Sequence, residues 1–166
     1  MILGMSTSTF TVFHVIISLV GLLAGIVVLY GMLRGRNFET WTALFLATTV
    51  LTSVTGFFLH AANLLPSHVV GILSLVVLAV AILGLYIYHL AGAWRWIYVV
   101  GVVVALYFNV FVAIVQAFQK LSVLKPLAPT QSEPPFLVTQ LIVLALFLAL
   151  GIVAARRFRP GSKISA

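Results

Sequence analysis

Three of the four histidines in this chain, His14, His60 and His68, fall at the same end of successive apolar stretches. Imidazole changes charge near neutral pH, and its neutral form ligates transition metals and haem iron. Ionisable groups at or inside a bilayer are unfavourable enough to count as site candidates by default. Carboxamides from Asn63, Asn109, Gln116 and Gln140 should lie at or below the same end, and Glu133 occupies a loop there. Such a set has the chemistry to bind a b-type haem, a metal ion, or a neutral amphiphile such as a quinone or lipid.

Membrane helices must position these groups. The chain has 166 residues, 63% hydrophobic and 7% charged, whereas soluble domains carry about 25% charged residues. Five apolar runs, 10–33, 41–62, 68–89, 97–118 and 136–155, each reach the length that crosses a hydrocarbon core. Lipid offers the backbone no hydrogen-bond partners, so these runs must be helices. The expected fold class is an all-α integral membrane protein forming a single transmembrane domain over 1–166. Its five transmembrane helices should make a four-helix core bundle with a peripheral fifth helix. That last run is almost wholly aliphatic or Phe beyond Thr139 and Gln140, with Gly151 the exception.

Charge placement gives an orientation. Arg34, Arg36, Arg95, Arg156, Arg157, Arg159 and Lys163 share one face of a five-span topology, and Lys120 and Lys125 the other. The positive-inside bias places the C-terminus, with its basic tail 156–166, in the cytoplasm and the N-terminus outside. Trp41, Trp94, Trp96, Tyr30, Tyr86, Tyr88 and Tyr98 gather at the arginine-bearing face as an aromatic belt. The first run lacks a preceding basic residue and is too long for a cleavable signal, so it should remain as an anchor. The net charge of +7 follows from this placement and calls for no nucleic-acid partner.

The absence of cysteine excludes disulfides, thiolate metal sites, covalent haem attachment and iron–sulfur clusters. Two acidic residues, Glu39 and Glu133, argue against a carboxylate-driven proton pump. Ser18 and Ser53 face the core below histidines but assemble no hydrolase constellation with them.

At about 100° per residue, His14, Ser18, Gly21 and Gly25 share a face of the first helix. Thr49, Ser53, Gly56, His60 and Asn63 share one on the second, and Tyr98, Ala105, Asn109, Gln116 and Lys120 one on the fourth. These stripes should face one another, with glycines and hydroxyls serving close packing. Ser67 is the expected N-cap of the third helix and Gly92 the break before the fourth. The outer loop 119–135, with Pro126, Pro129, Pro134 and Pro135, reads as a stiff, extended segment.

In a haem site, His14 would face His60 or His68, and Lys120 and Lys125 would pair with the propionates. That arrangement resembles the bis-histidine transmembrane cytochromes over the first four spans. It departs from them at the opposite face, where His89 stands alone among interfacial aromatics. In a metal site, His14, His60 and His68 would ligate zinc, copper or iron, with Glu133 as a fourth ligand. Without a ligand, the histidines would be wet and neutral, and Asn109 and Gln116 would bond between helices.

Stretches 41–57 (WTALFLATTVLTSVTGF), 91–98 (AGAWRWIY) and 128–136 (APTQSEPPF) resemble small bacterial inner-membrane proteins of unassigned activity. The resemblance implies class and location and carries over no residue roles. The expectation is a multi-pass inner-membrane protein, an accessory or scaffold subunit more than an enzyme. Its partners would be membrane lipids and another membrane protein docked on the fifth helix. The alternatives are one haem or metal held near the outer surface, or a quinone or lipid pocket.

Overall fold

The computed structural model describes residues 2, 4–59 and 66–159, with Pro66 and Ser67 described by backbone alone. They form five helices: α1 (Thr7–Leu33), α2 (Glu39–Leu59), α3 (Pro66–Ile82), α4 (Trp94–Lys120) and α5 (Pro134–Arg157). All five are long and apolar enough to span a membrane, α3 counting from His68 through the turn that prolongs it to Ile87. No strand occurs among the described residues, only an isolated bridge between Ile2 and Met5. The helix termini are reached at two opposite ends of the bundle, here named the histidine end and the basic end.

Local chemistry sets the boundaries. Ser6 caps α1, its Oγ accepting from the Thr9 amide at 3.1 Å. At the other terminus, Gly35 adopts φ +71°. Its amide reaches Met32 O and that of Arg36 reaches Gly31 O, the paired bonds of a Schellman stop. Pro66 opens α3, so Ser67 lies inside that helix rather than capping it. Proline suits this place because a first-turn amide has no intrahelical partner to lose. Pro134 and Pro135 begin α5 for the same reason.

α3 ends in a π turn, Leu83–Ile87, where the Tyr88 amide donates to Leu83 O at 3.0 Å. The link to α4 then uses left-handed backbone at His89, Leu90 and Gly92 (φ 46°, 59° and 53°). Tyr88 stacks on Trp94 across it, with ring centroids 3.9 Å apart. Gly92 thus does mark the break expected there.

Loop 119–135 departs from the extended form that its prolines suggested. α4 continues through Lys120, and the chain then makes a turn and a 3-10 turn at Lys125–Leu127. Ala128 is buried against Phe118 and Phe136. Gln131 reaches back to donate from Nε2 to Val115 O at 3.0 Å. Satisfying these backbone groups locally favours a compact path over an extended one.

α1 packs chiefly on α2, α3 on α4, and α2 on α3, while α5 lies against α4 and α1. The large core cluster sits toward the basic end. It joins Ala24, Val28 and Met32 of α1, Phe45 of α2, Leu78 and Ala81 of α3, and Tyr98, Val102 and Leu106 of α4. Phe147 and Ala154 of α5, with Phe158 beyond it, complete this cluster. Gly25 is essential to it: a Cβ there would stand 2.5 Å from Leu106 Cδ1 and 2.8 Å from Phe45 Cε2. A smaller cluster of Phe118, Ala128 and Phe136 closes one side of the histidine end.

Tyr98 corrects the aromatic-belt expectation. Trp41, Trp96, Tyr30, Tyr86 and Tyr88 are exposed at the basic end, but Tyr98 is fully buried. Its hydroxyl lies near the Thr42 side chain, though outside hydrogen-bonding geometry.

Candidate functional site

His14 stands two turns into α1, and its imidazole crosses to α2. Nδ1 is 2.8 Å from Thr55 Oγ1, and Cε1 lies over Gly56, 3.6 Å from where a Cβ would be. The Thr55 hydroxyl has one proton and directs it to Leu51 O at 2.7 Å. With its proton so placed, it accepts from Nδ1–H, the tautomer that leaves the lone pair on Nε2; in the other tautomer it would donate to Nδ1 instead. A ring held through Nδ1–H by a neighbouring acceptor is the form that histidine takes when Nε2 ligates a metal.

His68, on the first turn of α3, approaches α2 from the other side. It is buried and stacks on Phe57, with centroids 5.4 Å apart and planes inclined by 16°. Gly71 leaves room for that phenyl ring, whose Cζ is 3.3 Å from the site of a Cβ. Both imidazoles thus meet α2 at one level, residues 55–57. They meet different faces of it, because Thr55 and Phe57 point about 200° apart.

Below this level, Asn109 of α4 donates from Nδ2 to Thr49 Oγ1 at 3.1 Å. Ser53 returns its hydroxyl to Thr49 O at 2.9 Å. Gly21 lets α1 approach here, a Cβ there falling 3.0 Å from Thr48 Oγ1 and 3.3 Å from Thr49 Oγ1. The expected facing of the stripes on α1, α2 and α4 is thus present at Gly21, Thr49 and Asn109. Gln116 is half-buried on α4.

Gln140 of α5 is buried, its Nε2 donating to Phe111 O at 3.3 Å. Its Oε1 is buried with no hydrogen-bond partner among the described residues. Lys120 and Lys125 are exposed at this end.

Glu133 is tied into its own loop. Oε1 accepts from the Thr130 amide at 3.1 Å and the Thr130 hydroxyl at 2.8 Å. Oε2 accepts from the Ser132 amide at 3.1 Å. Partial desolvation opposes ionisation of this carboxyl, but these hydrogen bonds outweigh it and hold its pKa below the ordinary value. His60 and Asn63 lie outside the described residues. Among the described residues, no three or more His, Asp or Glu side chains gather as a metal site.

Two contributors had escaped the reading of helix faces. Thr55 is the hydrogen-bond partner of His14 Nδ1, and Phe57 is the platform for His68. The recurrence of threonine at 49, 52 and 55 was the available signal for the first, since such spacing keeps hydroxyls near a neighbouring helix. Nothing in the sequence distinguished Phe57 from the other phenylalanines. Comparison with protein-family models, curated proteins and solved structures found no match.

Proposed function

We propose that this chain is a non-enzymatic accessory subunit of the bacterial inner membrane, N-terminus outside, that docks another membrane protein through α5. One observation carries the reading. α5 presents Leu141, Ile142 and Ile152 on its exposed side, with the small Ala145 and Ala149 exposed between them, one turn apart. Small residues four apart let a second helix approach closely, which drives association where lipid removes the hydrophobic incentive. In this reading α1–α4 are the core bundle, and α5 mediates between them and the partner.

The test is co-purification of the full chain from its native membrane, beside an Ala145→Ile/Ala149→Ile variant. The expected result is a stoichiometric membrane-protein partner that the variant loses while remaining folded. A wild-type chain that purifies alone, or a variant that keeps the partner, contradicts the proposal.

The Nδ1–Thr55 contact supports a second reading, in which His14 takes the Nδ1–H form and Nε2 serves as ligand or acceptor. The bound group would be one b-type haem or a transition-metal ion held by His14 with His60, since His68 meets the opposite face of α2. A quinone or lipid carbonyl would instead need the other tautomer, with Thr55 donating to Nδ1 and Nε2–H donating to the ligand. Absorbance spectroscopy and elemental analysis of purified protein test this reading. A Soret band or stoichiometric metal, lost in His14→Ala, supports it. Colourless, metal-free protein from cells supplied with both ends it.

A further inference from the structure

We propose that a groove between α4 and α5 at the basic end holds an acyl chain of an anionic phospholipid, with the lipid phosphate at Arg156. The groove encloses about 350 Å³, within the size range of small-ligand sites. Val103, Phe147 and Gly151 form its floor, and Val100 and Leu148 its walls. Gly151 keeps the floor low, since a Cβ there would stand 3.3 Å from Val103 Cγ1. Trp96 and Arg156 border the mouth, and an indole there suits the headgroup level of a bilayer.

Two neighbouring cations, Arg95 and Arg157, are already engaged. Arg95 donates from Nη1 to Phe158 O at 2.6 Å and its guanidinium lies 4.7 Å from the Trp96 ring centroid. Arg157 reaches Leu33 O at 3.5 Å. Arg156 has no hydrogen bond or ion pair among the described residues. An apolar trough with an uncompensated cation at its interfacial end complements a hydrocarbon tail joined to an anion. A zwitterionic lipid brings a phosphate too, but its own cation offsets it, so a net anionic lipid matches the arginine better. This site shares Ile152 with the docking face around Ala145 and Ala149, but its argument rests on the groove and Arg156 and holds whether or not a partner docks there.

Native mass spectrometry of the full chain in detergent, offered equal amounts of dioleoyl phosphatidylglycerol and dioleoyl phosphatidylcholine, tests the proposal. The wild type should retain one phosphatidylglycerol in preference. Arg156→Gln should reduce that retention about fivefold, equivalent to about 1 kcal/mol for one arginine near an anionic surface, with a smaller loss of phosphatidylcholine, whose phosphate is offset by choline. Val100→Phe, on a wall that is 53% exposed, should lower retention of both lipids while the fold stays intact. Equal retention of the two lipids by the wild type, or an Arg156→Gln variant that binds phosphatidylglycerol unchanged, overturns the proposal. So does displacement of the lipid by inorganic phosphate alone, or release of a polypeptide rather than lipid by Val100→Phe.

Discussion

The basic and histidine ends of the bundle are built from the same helices by different means. At the basic end, Phe45, Met32, Leu106, Tyr98 and Phe158 are all essentially inaccessible, and Gly25 removes a side chain so that they meet. At the histidine end, α1 and α2 are joined by the edge contact of Phe10 with Phe58 and by the His14–Thr55 bond. Close packing gives strength through many small contacts, whereas one hydrogen bond between helices of this kind contributes about 1 kcal/mol. One end therefore holds the fold, and the other carries the polar groups with binding chemistry.

Stability measurements should reproduce this division. The largest effect is expected from Phe45→Ala, at about 3–5 kcal/mol, because it empties the centre of the packed end. Gly25→Ala follows at about 1–3 kcal/mol, from overpacking against Leu106 and Phe45. Reversible unfolding in mixed micelles would measure both. His14→Ala and Thr55→Val should cost about 1 kcal/mol or less each. A double-mutant cycle between them should show coupling, since removing either leaves the other without its bond. Costs at His14 equal to those at Phe45 would erase the distinction between the ends.

Acid should act on the loop at the histidine end. The Glu133 pKa is lowered in the folded chain, so its contribution is fully present above the ordinary carboxylate value. It is lost as pH falls through the folded value. Amide exchange at Thr130 and Ser132 should therefore accelerate on acidification, and Glu133→Gln should remove that pH dependence. The smallest effect belongs to the α3–α4 link. His89→Gly relieves left-handed strain of about 1–2 kcal/mol, offset by about 0.5–1 kcal/mol of added chain entropy. A slightly raised unfolding midpoint is expected.

The five long helices were legible from their long apolar runs, and their ends shifted by a few residues where Ser6, Pro66 and Pro134 set the helix starts. The Asn109–Thr49 pair was legible too, since both residues fall on the polar faces expected to meet. Thr55 was not, because it sits one position off the stripe through Gly56, and it is the residue that bonds His14 Nδ1 across to α2. The path of loop 119–135 was misjudged for a related reason. Proline density records which amides are missing, while Gln131 and Glu133 show where the remaining polar groups are satisfied. Tyr98 was assigned to both belt and core, and the fold puts it in the core.

Because the chain has no native cysteine, single cysteines can test the contrast between the ends with a water-soluble thiol reagent. Ser53→Cys would report from beside Thr49 at the polar end, and Ala105→Cys from the sealed core, where Ala105 is 0% exposed. Thiols react as thiolates, which need water. The account predicts that Ser53→Cys is modified in the folded protein, while Ala105→Cys is protected until unfolding. Equal protection at both positions, or faster modification at Ala105→Cys, would contradict it.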